Sequence, residues 1–119
     1  MTMPLLRGFV AAALALPLCA MAARAADAPS RFWNLTAHTI VDFRLAPKGT
    51  TTWGVNQCAN DKDGAVDNDE RLRLTGLSEG VYDAEMKDKD GRICHAKNLS
   101  IKPGGIFSLE EKDLVECDR

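Results

Sequence analysis

The sequence predicts an all-β protein, a small antiparallel β-sandwich or barrel of about six or seven short strands after a cleaved signal peptide. Two observations carry this prediction. Short alternating or β-branched segments recur about every ten residues, and turns rich in Gly, Pro and Asp separate them. A third observation agrees, because no helical period is long enough to indicate a stable helix.

The first 25 residues have the features of a secretory signal peptide. Arg7 supplies the positive start, residues 8–18 (GFVAAALALPL) form the apolar segment, and residues 20–22 and 23–25 both fit the small-x-small cleavage pattern. The apolar segment is shorter than the roughly 20 residues of a membrane span, although an uncleaved N-terminal anchor is the alternative. Leu18 stands where a lipoprotein signal would have a small residue, so we expect Cys19 to leave with the signal.

Cleavage after Ala25 leaves one domain, residues 26–119, in the periplasm or outside a bacterial cell. Its first two predicted strands lie in residues 31–37 and 39–45, where Phe32, Asn34 and Thr36 alternate with their neighbours. Residues 71–75 (RLRLT) should point arginines outward and leucines inward. Residues 81–86 and 92–101 form a predicted hairpin around Asp90-Gly91. Residues 106–109 are the last predicted strand, and residues 110–117 are either one helical turn or an irregular tail.

The mature cysteines predict one disulfide and one spare thiol. The candidates are Cys58, Cys94 and Cys117, and an oxidising compartment favours pairing. The count is odd, so at most one internal bridge forms, and spacing does not say which two residues pair. The spare thiol is buried, free or joined to another molecule. The chain has no C-x-x-C spacing to indicate a zinc or thioredoxin-like site.

The charge balance of the mature chain limits the classes of partner that it can be expected to bind. Without Arg7 and Arg24, 13 basic residues face 17 acidic ones, a formal net charge of −4. This balance argues against nucleic acid, because phosphate binding needs a basic face, and it gives no support for an anionic membrane surface after signal cleavage. An unidentified protein is therefore the expected partner.

The acidic segment, residues 61–70, is the candidate metal site. Calcium prefers several oxygen ligands on a sharply turning chain, and the segment offers the candidate ligands Asp61, Asp63, Asp67, Asp69 and Glu70. Aligning Gly64 with the EF-hand glycine places Ala59 at the first ligand position and a strand where the exit helix should be, so an EF-hand is not expected. The alternative is a solvated turn, because the tetrapeptide DKDG recurs at residues 88–91 as a hairpin turn.

Several short motifs resemble a pattern of small exported proteobacterial β-domain proteins. In order they are Asn34-Leu35-Thr36, Thr39-Ile40, residues 45–49 (LAPKG), Trp53-Gly54, Tyr82-Asp83 and Asp90-Gly91. The resemblance covers most of the mature chain and implies an exported β domain, and it carries over no catalytic residues. Residues 58–70 depart from the pattern.

The sequence contains no recognisable set of catalytic residues. There is no G-x-S-x-G motif and no phosphate-binding glycine loop, and His95 beside Cys94 is better explained as a surface histidine next to a disulfide. Trp33 and Trp53 are expected in core or rim packing, with a ligand groove as the alternative. We therefore expect a non-catalytic binding module that binds either a protein partner or a divalent cation, such as calcium, in the acidic segment. The alternative is a small inhibitor or immunity-type protein in which the acidic segment and Cys58 form an exposed wedge against a basic enzyme.

Overall fold

The computed structural model describes residues 28–118, so the predicted signal peptide and Cys19 lie outside the described residues. Seven strands form two sheets: β1 (Ser30–Leu35), β2 (Ile40–Pro47), β3 (Arg71–Leu74), β4 (Gly80–Asp88), β5 (Ile93–Ile101), β6 (Ile106–Glu110) and β7 (Val115–Asp118). The strand orders are β3-β1-β6 and β2-β4-β5-β7. The predicted small all-β sandwich is confirmed. Within residues 28–118, no helix is long and apolar enough to cross a membrane.

The core lies between the two sheets and contains three stacked phenylalanines. Phe32 of β1 stacks on Phe43 of β2 with ring centroids 4.2 Å apart, and Phe107 of β6 lies 5.6 Å from Phe32. Phe32, Asn34 and Thr36 are all fully buried, as their alternation predicts. The aromatic rings therefore join the sheets, and the aliphatic residues complete the core around them.

Two details differ from the prediction. β1 and β6 run parallel, a pairing that the long connection between them permits and that a hairpin turn would not. Of the two predicted possibilities for the tail, the helical turn is present as a 3-10 helix (Glu111–Asp113), and the residues after it form a strand, β7, where an irregular tail was the alternative. Residue patterning missed β7, since all four of its residues are exposed and show no alternation.

One side of the sandwich is closed by a 3-10 helix, Gln57–Asn60, and the residue before it. Asn56 Oδ1 accepts a 3.0 Å hydrogen bond from the Phe43 amide on the free edge of β2. The Gln57 side chain both donates to and accepts from the backbone of Thr75, just after β3, at 3.0 Å. Side-chain amides thus replace a neighbouring strand on this side.

The disulfide joins Cys94 of β5 to Cys117 of β7, 23 residues apart. It fixes the edge strand β7, which pairs with β5 at only two register positions. Cys58 is the free cysteine of the described chain and is fully buried. The predicted single bridge is confirmed, and it is compatible with an oxidising, exported location.

Candidate functional site

The acidic segment begins with the tetrapeptide DKDG, which forms the same turn as the second DKDG at residues 88–91. In residues 61–64 the Gly64 amide donates to the Asp61 carbonyl, and the Asp63 amide donates to Asp61 Oδ2, both at 3.0 Å. In residues 88–91, Gly91 and Asp90 make the equivalent bonds to Asp88 at 3.0 and 2.9 Å. Both glycines have positive φ, the conformation that glycine adopts without strain. The tetrapeptide thus forms the same hydrogen-bonded turn in both places, and at residues 88–91 this turn connects the paired strands β4 and β5.

The five predicted ligands are not gathered around one point. Asp67 Oδ1 accepts from the Thr39 hydroxyl at 2.9 Å, Asp69 Oδ1 accepts from the Trp33 indole N–H at 3.0 Å, and Glu70 Oε1 accepts from the Asp67 amide at 2.8 Å. Asp61 caps its own turn, and Asp63 is exposed. Across residues 28–118, no group of three or more His, Cys, Asp or Glu side chains is arranged to hold a metal ion. Four of the five carboxylates accept hydrogen bonds from different parts of the fold.

Cys58 does not form part of an exposed wedge, so that part of the inhibitor hypothesis is wrong. Its side chain is fully buried, and its thiol donates to the Ile40 carbonyl at 3.6 Å. Burial, with the nearby charges of Asp42 and Asp61, raises the pKa of the Cys58 thiol to about 12. The thiolate is the reactive form of cysteine, so both the burial of Cys58 and the direction of its pKa shift disfavour a nucleophilic role and fit a packed core side chain.

A different surface concentrates chemistry-bearing residues: the outward side of the three-stranded sheet. In β1 the alternation buries Phe32 and turns Arg31 and Trp33 outward. In β3 it buries both leucines and turns Arg71 and Arg73 outward, as predicted. The antiparallel register then places Arg31 directly opposite Arg73 and Trp33 opposite Arg71. We call these four residues the arginine face.

Trp33 lies at the centre of the arginine face and is held in a fixed position. The Arg71 guanidinium carbon lies 4.2 Å from the centroid of its ring, a cation–π contact. Its indole N–H is bonded to Asp69, whose backbone has a φ of 71° and whose amide donates to the Asn34 carbonyl at 2.6 Å. Trp33 is half-buried and lies outside the core cluster, so of the two predicted placements, core or rim, it has the rim placement.

The charges of the arginine face are not neutralised within the described chain. The ion pairs found among residues 28–118 involve Arg44, Arg92, Lys97 and the two histidines, and do not include Arg31, Arg71 or Arg73. Like charges directly opposite each other on antiparallel strands destabilise a sheet. A domain of net negative charge therefore keeps a cluster of three exposed arginines on one sheet face.

The other outward sheet face is neutralised internally. His95 Nε2 lies 3.1 Å from Glu85 Oε2, and Arg44 Nε donates to Asp42 Oδ1 at 2.7 Å. Trp53 lies over this face, with its ring centroid 5.8 Å from that of His95. Trp53 is half-buried there and is not a core residue. Since acidic and basic groups alternate on this face, it has no charge surplus comparable to that of the arginine face.

The sequence contains part of the signal for the arginine face. The alternation in residues 71–75 points both arginines outward, and the alternation in residues 31–37 does the same for Arg31 and Trp33. What the sequence does not give is that β1 and β3 are neighbours, since 35 residues separate the two strands. The net charge does not reveal the arginine cluster either, because it is a sum over the whole chain and does not depend on where the charges lie.

The described residues define a disulfide-linked, seven-stranded β-sandwich with a tryptophan and three arginines on one outward face. No protein-family model, no curated protein and no solved structure matches this chain.

Proposed function

We propose that this protein is an exported, non-catalytic binding module that recognises a protein partner through the arginine face. The observation that carries the proposal is the position of Trp33 among three exposed arginines on a sheet surface. Tryptophan and arginine are the residues most enriched among those that dominate the energy of protein interfaces. Their packing against one another on a regular sheet provides a rigid, pre-organised surface, which lowers the entropic cost of binding.

The neighbouring strand extends this surface with apolar area. Ile106 of β6 is paired with Arg31 in the sheet, and its side chain is 52% exposed. Leu35, on the same outward side of β1 as Trp33, is half-buried. An interface centre is typically apolar and aromatic with polar groups at its rim, and this composition fits that description.

Export to the periplasm or outside the cell is supported by the signal-like start of the sequence and by the disulfide. The partner is thus expected in the same compartment. Calcium is not needed for this function, because the arginine face is held together by hydrogen bonds and packing within the chain.

Site-specific photo-crosslinking in the cells that export the protein tests this proposal. A photoreactive amino acid replaces Ser108, which is exposed and paired with Trp33 in the sheet, and a control protein carries it at Val55, which is 68% exposed on another part of the surface. We expect a discrete protein adduct from position 108 only, and its loss when Trp33→Ala is added. Absence of an adduct at position 108, or equal adducts at both positions, would contradict the proposal.

The inhibitor or immunity hypothesis has weaker support and is tested by the same experiment. Asp63, Asp67, Asp69 and Glu70 are exposed, so the acidic segment remains accessible to a basic enzyme. A photoreactive residue at Ala65 would then give an adduct with a basic secreted enzyme, whereas the arginine face would give none.

A further inference from the structure

We infer that the arginine face binds an acidic polypeptide segment of the partner protein, an inference that rests on the proposed function and names the chemistry of its ligand. Arg31 and Arg73 are direct cross-strand partners, and both are exposed. Such partners have side chains only about 5 Å apart at their β-carbons. A carboxylate placed between them would remove the repulsion that the free domain carries.

Guanidinium groups favour carboxylates for a geometric reason. Each presents a planar fork of donors that matches the two oxygens of a carboxylate, and an arginine stacked on an aromatic ring keeps its donor edge available. Arg71 is such an arginine, with its guanidinium 4.2 Å from the Trp33 ring centre. The face therefore offers three forks on two adjacent strands, with one of them held in place.

The surroundings favour a short acidic segment over an extended polyanion. Glu110 lies on the same outward side of the sheet, opposite Leu35, and Asp69 lies beside Trp33. The mature chain as a whole has a net charge of −4. A long phosphate polymer or a charged membrane would meet these negative groups and the repulsive field of the domain. A segment of a few residues would contact only the arginines, Trp33 and Ile106.

The position of β6 adds a feature that an extended segment can use. β6 is the terminal strand of its sheet, and Ile106 and Ser108 are exposed on it. An extended chain lying beside the arginine face can therefore approach an open sheet edge, where main-chain hydrogen bonds add to side-chain recognition.

The test uses the exported protein with its disulfide intact and a short fluorescent peptide in which glutamate and valine alternate. A matched peptide with lysine in place of glutamate is the control. We expect binding of the acidic peptide alone, with an affinity that falls as salt is added. The variant Arg31→Glu should weaken this binding by about tenfold or more, because it sets a like charge against the peptide. Lys48→Glu makes the same change of charge on an exposed turn beyond β2 and should leave binding unchanged.

The stability of Arg31→Glu gives a second readout that separates binding from folding. Glutamate at position 31 faces Arg73 across the strands, so a repulsive pair becomes an attractive one. We expect the unfolding midpoint to stay the same or to rise while binding falls. A variant that unfolds would be replaced by Arg73→Gln, which removes one charge and should also weaken binding.

Four results would overturn the inference: no binding of the acidic peptide, equal binding of both peptides, binding unaffected by Arg31→Glu, or binding only of polyphosphate or phosphatidylglycerol vesicles. The proposed function is judged separately. An adduct at position 108 that persists in Arg31→Glu would leave a protein-binding face whose partner is not recognised through its acidic groups. If the protein without further substitutions gives no adduct at position 108, both the inference and the proposed function are contradicted.

Discussion

The indole N–H of Trp33 donates a 3.0 Å hydrogen bond to Asp69 Oδ1, across 36 positions of the chain. This bond connects the acidic segment to the arginine face. Asp69 therefore orients the tryptophan at the centre of the arginine face. The Asp69 amide also donates to the Asn34 carbonyl of β1. This second bond holds Asp69 next to β1, where its carboxylate can accept from the indole of Trp33.

Calcium is expected to have no effect on stability. The predicted ligands are bonded to separate partners, and filling a metal site would require several of these bonds to break. Thermal unfolding at fixed ionic strength should give the same midpoint with millimolar calcium and with a chelator. A site held at a hundredfold excess over its dissociation constant would instead add about 2.7 kcal/mol. A calcium-dependent rise that disappears in Asp63→Asn with Glu70→Gln would contradict this prediction.

Reduction of the Cys94–Cys117 disulfide should lower the free energy of unfolding by about 3 kcal/mol, as expected for a closed loop of this size. The bridge spans 23 positions and anchors β7, whose residues are all exposed and contribute little burial. Urea unfolding with and without a reductant measures the change. The variant Cys94→Ala with Cys117→Ala should match the reduced protein and should no longer respond to reductant. Equal stability of the oxidised and reduced proteins would show that β7 contributes nothing.

Cys58 should be unreactive in the folded protein. It is fully buried, and its pKa is raised to about 12 by burial and by the charges of Asp42 and Asp61. At pH 8 a thiol reagent should label Cys58 only at the rate of unfolding, and labelling should become fast in denaturant. Rapid labelling of the native protein would contradict the packing described for this residue.

The protein should lose stability in acid through two buried aspartates. Hydrogen bonds from the amides of Gly49 and Asn98 lower the pKa of Asp83. Burial alone would raise the pKa of Asp88, but the amides of Arg92 and Asp90 and the Arg92 guanidinium lower it overall.

The direction of these pKa shifts determines how the free energy of unfolding changes with pH. A carboxylate with a pKa below its unfolded value stabilises the fold above about pH 4, and this contribution is lost as the pH falls through the folded pKa. Unfolding free energies measured from pH 6 downward should therefore decline below about pH 4. The decline should be shallower in Asp83→Asn and in Asp88→Asn. A decline as steep as that of the wild type in both variants would contradict this assignment.

Replacing Asn34 by Ala should destabilise the protein by about 3 kcal/mol, because the side chain is fully buried and its loss strands several polar partners. Its Nδ2 donates to the carbonyls of His38 and Val66, and its Oδ1 accepts from both the amide and the hydroxyl of Thr36. Asn98 is the control, since Asn98-Leu99-Ser100 resembles Asn34-Leu35-Thr36 in sequence but Asn98 is exposed. Asn98→Gly suits its φ of 60° and should change stability by less than about 0.5 kcal/mol. Similar losses in both variants would contradict this difference in burial.

Local patterning determined most of the strands. Alternation in residues 71–75 and residues 31–37 fixed which side chains point inward, because successive residues of a strand face opposite sides of a sheet. The two DKDG turns followed equally from local chemistry, since an aspartate that caps its own turn and a glycine with positive φ need no distant partner. Cysteine arithmetic likewise gave one disulfide and one spare thiol.

The sequence predicted that β4 and β5 are neighbours, because they form the hairpin around Asp90-Gly91. Only the tertiary structure decided the other neighbour relations, and with them the pairing of the cysteines and the charge of each sheet face. Cys94 pairs with Cys117 because β7 lies beside β5, and β7 has no sequence pattern of its own. Arg31 meets Arg73 because β1 lies between β3 and β6. Such neighbour relations depend on packing between segments far apart in the chain. Alternation within one strand predicts only which of its residues point inward and which point outward. It does not predict that β1 and β3 are adjacent, so the sequence alone did not predict the arginine face.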